Sequence, residues 1–199
     1  SFPTRRSSDL ELAALVMGPS ADRRLLALAS ALTLSTLAAL VFPVVGERLV
    51  GLSLLATAVW LVAHDVVRKQ LRLTGQRRYL AVALLAGYVN LALAGGVLAV
   101  SGLLASTGTY DVIVHGVFLG FGVSMVMAHA PVILPAVLGR PLPYRPVLWL
   151  PLVLLHAGLA VRFTGALAGV TALWQVGGVA TVIAMLAFVV TAATLVVRR

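Results

Sequence analysis

The sequence predicts an all-α membrane protein, a polytopic bundle of six transmembrane helices with both ends of the chain in the cytoplasm. Three observations predict this fold. Apolar residues make up 61% of the chain and charged residues 11%, whereas soluble domains average about 45–50% and about 25%. The apolar residues form runs long enough to cross a bilayer, which takes about 20 residues. The basic residues lie between these runs, mostly on one side.

Each span is assigned from an apolar run, and its ends are set by the flanking charges, glycines and prolines. Pro43 is placed at the end of the first span. The fourth span is long enough to tilt or kink, and it contains Pro131 and Pro135, which each remove a backbone hydrogen bond. The fifth span is the shortest and contains Pro151. The predicted spans are 25–45, 49–66, 79–104, 111–138, 146–161 and 172–197.

The basic residues of the connecting loops set the orientation. If every segment spans the bilayer, eleven of them lie on one side, and only Arg48 and Arg162 lie on the other. Such a bias places the basic side in the cytoplasm. With one span fewer or more, the basic residues would be distributed over both sides of the membrane. The eleven are Arg23, Arg24, Arg68, Lys69, Arg72, Arg77, Arg78, Arg140, Arg145, Arg198 and Arg199. The net charge of +9 is therefore a topology signal.

The same charge distribution bounds the partners and the location. A nucleic-acid-binding protein would present a basic face on a soluble domain, so nucleic acid is not an expected partner. The expected partners are the lipid bilayer and other membrane subunits, and the expected location is the bacterial cytoplasmic membrane. The chain has no cysteine, which excludes disulfides, thiolate metal sites and iron–sulfur clusters built from this chain.

The first ten residues differ in character from the rest of the chain. They read SFPTRRSSDL, which resembles the translation of a common short-read sequencing adapter. We therefore expect residues 1–10 to be an artefact that is not part of the fold. Residues 11–199 are then a single transmembrane domain, and we expect that domain to be part of a longer protein.

Four histidines lie inside predicted spans, where ionisable groups are costly and each is a functional hypothesis. His129 and His156 are both roughly 14 Å from the cytoplasmic boundary, on adjacent spans joined by a short loop. Two imidazoles at equal depth could ligate one haem iron or one copper ion. Asn90 reaches a similar depth. The alternative is that each imidazole makes one interhelical hydrogen bond. His64 lies at the interfacial end of the second span.

The fourth span carries a second candidate pattern. His115 and His129 are 14 residues apart, so on a regular helix they share a face, with Gly122 midway between them. Asp111 precedes His115 by one turn, where it either orients that imidazole or simply favours the helix start. A row of small residues at i+4 spacing allows close approach of another helix or of a flat cofactor, and packing is the simpler interpretation. That row is Gly116, Gly120, Ser124 and Ala128.

Residues 111–162 carry a resemblance to a known family. From His115 onward the chain reads HGVFLGFGVSMVMAHAPVILPAVLGRPLPYRPVLWLPLVLLHAGLAVR. It resembles the later helices of NnrS-type haem- and copper-containing membrane proteins, which are distantly similar to subunit I of haem-copper oxidases. The resemblance implies haem b or copper bound by His115, His129 and His156. It also implies that family members are longer, with about twelve spans, so that this chain is either a part of such a protein or a short relative. The chain lacks the paired histidines of the oxidase subunit, so oxygen reduction is not implied.

Three functions follow as hypotheses. The first is a haem- or copper-binding protein of respiratory or nitrogen-oxide metabolism. The second is a small-solute transporter or channel with Asn90, His129 and His156 as a polar site near the midplane. The third is a structural or assembly subunit whose histidines only pack helices. No Ser/His/Asp set, phosphate-binding loop or paired acidic residues indicates a hydrolase or kinase.

Overall fold

The computed structural model describes residues 19–65, 67–138 and 144–197, which are almost entirely helical. The helices are α1 (Pro19–Val41), α2 (Pro43–His64), α3 (Val67–Gln70), α4 (Gly75–Ser101), α5 (Thr107–His115), α6 (Ser124–Leu138), α7 (Trp149–Ala168) and α8 (Thr171–Val197). A π-helix over Gly116–Val123 joins α5 to α6, and a 3₁₀ turn over Pro146–Leu148 leads into α7. The segment interpreted as adapter-derived, 1–10, lies outside the described residues.

Six helical segments are long and apolar enough to cross a membrane, which confirms the predicted all-α bundle of six spans. α5, the π-helix and α6 together form the fourth segment. Several predicted boundaries differ from the structure by a few residues, and two of the differences have a clear physical reason. Pro43 begins α2 instead of ending the first span, because a proline in the first turn of a helix loses no hydrogen bond there.

The second correction concerns the fifth span, which was predicted to end at residue 161. α7 continues to Ala168 and ends at Gly169, whose φ of 70° is a left-handed conformation that favours glycine. Arg162 was treated as a loop residue because of its charge. In the structure Arg162 lies within α7, and its charge is neutralised by a partner on α5.

The helices approach one another closely at glycines. A Cβ at Gly51 of α2 would lie 2.4 Å from the backbone nitrogen of Ala99, so α2 and α4 are in backbone contact. α7 and α8 meet in the same way, since a Cβ at Gly177 would lie 2.3 Å from the backbone nitrogen of Arg162. Small residues at such crossings allow the van der Waals packing and interhelical contacts that hold membrane helices together.

The centre of the bundle is formed by α4, the fourth segment and α7. Their buried side chains include Tyr79, Leu84, Met127, Leu155 and Leu159, each 5% exposed or less. α1 packs chiefly against α2 and turns most of its apolar side chains outward. Polar groups on the three central helices therefore face protein more than lipid, and the candidate sites lie there.

The π-helix changes the phase of the fourth segment. Its i→i+5 hydrogen bonds widen the turn for the eight residues from Gly116 to Val123. The angular position of a residue after the π-helix, relative to one before it, can therefore not be obtained by counting 3.6 residues per turn. Our inference that His115, Gly122 and His129 share one face assumed a regular helix, and that assumption was wrong.

Candidate functional site

His156 of α7 lies in a hydrogen-bonded cluster with residues from two other helices. Its Nε2 is 3.0 Å from the Ser124 hydroxyl of α6, and its Nδ1 is 3.2 Å from the Asn90 amide nitrogen of α4. Ser124 is fully buried and also donates to the Gly120 carbonyl at 2.6 Å. The cluster joins three spans near the middle of the bundle.

The positions of the hydrogen atoms in this cluster can be assigned, because two of its members donate to backbone carbonyls, which can only accept. The Asn90 amide nitrogen also donates to the Ala86 carbonyl at 2.9 Å, which can only accept, so this atom is the NH₂ group. His156 Nδ1 must then be an acceptor, and its Nε2–H donates to Ser124. The hydroxyl proton of Ser124 goes to Gly120. Every one of these groups is satisfied, and both imidazole nitrogens of neutral His156 are used.

The structure does not bring His129 and His156 together. His156 contacts Ser124, and His129 lies five residues further along, which on α6 is about 7.5 Å along the axis and about 140° around it. The equal depth that we inferred by counting from the loop was therefore wrong. The count treated the residues after Arg145 as regular α-helix, whereas a 3₁₀ turn over Pro146–Leu148 precedes α7, which begins at Trp149. The site that we predicted the two imidazoles to share is not formed by this arrangement.

His129 instead faces a cleft between α6 and α8. Its Nδ1 is 2.9 Å from the Met125 carbonyl, so Nδ1 carries the proton and Nε2 carries a lone pair. Among the described residues, no protein group bonds to Nε2. The cleft has a volume of about 550 Å³, and apart from His129 its lining is apolar. The lining residues are Met125, Val126, Ala130, Ile133, Leu134, Phe188, Val189 and Ala192.

The surroundings of His115 differ from those of His156 and His129. His115 lies near the end of the bundle that was predicted to face away from the cytoplasm. Its Nδ1 is 2.9 Å from the Asp111 carbonyl and 3.3 Å from the Asp111 carboxylate. The carboxylate is bound mainly by Arg162, whose Nε and Nη2 donate to its two oxygens at 2.8 and 2.7 Å. Asp111 is 6% exposed, so this is a buried, bidentate ion pair between α5 and α7.

The pairing of Arg162 with Asp111 was not predicted from the sequence. The guanidinium also lies 5.3 Å from the centre of the Trp174 ring, which ties α8 to the same pair. A signal was present in the sequence: two lone opposite charges in apolar runs, near the same side of adjacent spans. Buried charges in membranes are expected to pair.

The row of small residues packs against α4, as the simpler interpretation predicted. Gly116, Gly120, Ser124 and Ala128 are all buried. A Cβ at Gly120 would lie 2.5 Å from the Asn90 Cβ, so the Asn90 side chain occupies the space that this glycine leaves. Gly122 does not belong to the row, since its nearest neighbouring atom would be the Val117 carbonyl oxygen at 3.6 Å.

These features define a multi-pass helical membrane protein with buried polar clusters and an apolar cleft to which His129 contributes an imidazole. Within the described residues, no group of three or more His, Cys, Asp or Glu side chains is placed to hold a metal ion. The chain belongs to the family described as Domain of unknown function (DUF8744), whose model matches residues 6–197. No curated protein and no solved structure matches the chain.

Proposed function

We propose that this integral membrane protein binds haem b, with His129 as a ligand to the iron. The observation that carries the proposal is the state of the His129 ring. Its Nδ1–H is bonded to the Met125 carbonyl, and the ring lines an apolar cleft of about 550 Å³. Histidines that ligate metals commonly donate the other ring N–H to a carbonyl in this way.

The surroundings of His129 suit a flat, largely apolar group. Cofactor sites in proteins are concave and mostly apolar, with few polar groups that fix orientation, and here one imidazole supplies the polar contact. Bound haem would supply one-electron chemistry, while the residues of α6 and α8 would hold it and exclude water. The resemblance to haem- and copper-containing membrane proteins points to the same cofactor class.

Copper is the less favoured of the two cofactors. A copper site requires several nitrogen or sulfur ligands, and the hydrogen bonds of the described residues group no two imidazoles. His115 and His129 each bond to a carbonyl of their own helical segment, and His156 bonds to other polar side chains. His156 uses both nitrogens within its own cluster, and His115 is held by Asp111. A single imidazole is sufficient as the proximal ligand of a haem, so the proposal does not depend on a histidine pair.

The test is a haem titration of the purified protein in detergent, followed by visible absorption. We expect saturable binding near one haem per chain with a sharpened Soret band, and loss of that band in the His129→Ala variant. The matched control is His115→Ala, which removes an imidazole with the same bond to a carbonyl one turn earlier. Absence of saturable binding by the wild-type protein, or unchanged binding by His129→Ala, would refute the proposal.

A second candidate function is transport of protons or a small polar solute. The observation that favours it is the cluster of Asn90, Ser124 and His156, which places an ionisable group at the centre of three spans. The test is proton flux into liposomes containing the protein and a pH-sensitive dye. Flux that is lost in His156→Ala and retained in His64→Ala would support transport, and the absence of flux would exclude proton transport.

A further inference from the structure

The described residues of the connection between the second and third spans contact the bundle through hydrogen bonds and a buried side chain. Asp65 follows α2 and accepts the backbone N–H of Val67 at 3.0 Å, which starts the single turn of α3. The other carboxylate oxygen of Asp65 accepts from the Tyr88 hydroxyl of α4 at 2.7 Å. The Val67 side chain is 3% exposed. These contacts fix α3 against the bundle.

Two cations, Arg68 and Lys69, lie on α3, and a third, Arg72, lies in the turn that follows it. Arg68, Lys69 and Arg72 are exposed, and together they line a cleft of about 430 Å³. Across the described ranges 19–65, 67–138 and 144–197, the ion pairs all involve Asp111, and none of these three cations has a carboxylate partner. The nearest acid in the sequence, Asp65, is already occupied by Val67 and Tyr88. The cleft is therefore positively charged.

Three aromatic residues lie at the same end of the bundle as the connection. Tyr79, one turn into α4, packs edge-to-face on Trp149 with ring centres 5.5 Å apart, and it also contacts Tyr144. The Trp149 indole N–H donates to the Tyr144 hydroxyl at 3.0 Å. Tyrosine and tryptophan are enriched at the boundary between membrane and water. The basic cleft follows α2 at the same end of the bundle as these rings.

We propose that this cleft binds the phosphate headgroup of an acidic phospholipid from the leaflet on the basic side of the membrane. Two guanidinium groups and one ammonium group around a small cleft match a phosphodiester, because guanidinium groups bind phosphate oxygens in pairs. Basic clusters at the cytoplasmic ends of membrane helices attract acidic lipids. Since Arg68 and Lys69 project from a turn that Asp65 holds against the bundle, the site is a defined one within the general basic surface.

The experiment compares two variants that each remove two exposed arginines, one pair from the cleft and the other from the first turn of α4. Arg68→Gln/Arg72→Gln empties the cleft of guanidinium groups, whereas Arg77→Gln/Arg78→Gln removes two exposed arginines that do not line it. Binding of phosphatidylglycerol to the purified chain is measured by native mass spectrometry, with phosphatidylcholine as the neutral reference. Both pairs are exposed, so the fold is retained, which the elution profile in size-exclusion chromatography verifies.

We expect the cleft variant to bind phosphatidylglycerol at least tenfold more weakly than the wild-type protein, and the control variant to stay within about threefold. Phosphatidylcholine binding should not change in either variant. Equal weakening by the two variants would overturn the proposal in favour of a diffuse basic surface. Competition by soluble glycerol phosphate at the concentration of the lipid would also overturn it, because the site would then take free phosphate.

Discussion

Replacing Arg162 with leucine removes the cation that faces the buried Asp111 carboxylate. The variant loses two charge-assisted hydrogen bonds, of 2.8 and 2.7 Å, and leaves a carboxylate that is 6% exposed without its cation. It also loses the contact with the Trp174 ring. The perturbation therefore affects all three helices that meet at this end of the bundle.

The expected loss can be bounded from both sides. Removing one partner of a buried ion pair typically costs about 3–5 kcal/mol, because the remaining charge stays desolvated. An ordinary aspartate can instead take up a proton at pH 7 at a cost of about 4 kcal/mol, which sets an upper limit for the charge term. We therefore expect Arg162→Leu to lower the free energy of unfolding by about 3–4 kcal/mol.

The assay is unfolding by SDS in mixed micelles, followed by tryptophan fluorescence. The double variant Asp111→Leu/Arg162→Leu should recover at least about 2 kcal/mol relative to Arg162→Leu, because no unpaired charge remains. Arg48→Leu is the control, since it removes the other arginine on that side and is exposed. A loss below about 1 kcal/mol for Arg162→Leu, or additive effects in the double variant, would refute the reasoning.

Two further predictions use the same unfolding assay. Gly120→Ala should lower stability by about 1–3 kcal/mol, because its Cβ would lie 2.5 Å from the Asn90 Cβ, whereas Gly122→Ala should change it by less than about 0.5 kcal/mol. His156→Leu should cost about 1–3 kcal/mol by leaving buried polar partners unsatisfied, and His64→Leu should cost under about 0.5 kcal/mol because that ring is exposed. Equal effects within either pair would contradict the packing described.

The number of spans was predictable because hydropathy and loop charge are local properties of the chain. The end of the fifth span was not, because it depends on a residue 51 positions away. Arg162 ends an apolar run in the sequence, but in the bundle Asp111 neutralises it and α7 continues for almost two further turns. A charged residue that has a partner inside the protein does not mark the membrane boundary. Hydropathy depends only on neighbouring residues in the sequence, so it does not detect such a partner.

The candidate site was harder to predict for a related reason. Residue counts gave the polarity and approximate region of Asn90, His129 and His156, and two of these three do meet. They did not give the partner of His129, because the count assumed regular helices with matched ends. The π-helix between Gly116 and Val123 changes the register between His115 and His129, and the 3₁₀ turn over Pro146–Leu148 changes the count to His156. An error of a few residues in the register of a helix is enough to place a side chain on a different face of that helix.

The contrast between the polar clusters and the cleft explains why the functional hypothesis centres on His129. Where helices are held close, as at Gly120 and Asn90, polar side chains find protein partners and leave no room for a ligand. A cofactor requires the opposite arrangement, in which two helices separate and an imidazole nitrogen keeps its lone pair. α6 and α8 are not closely packed, and small residues such as Ala130 and Ala192 line the space between them. His129 is the histidine that combines this space with a fixed tautomer, so it is the residue at which haem binding is to be tested.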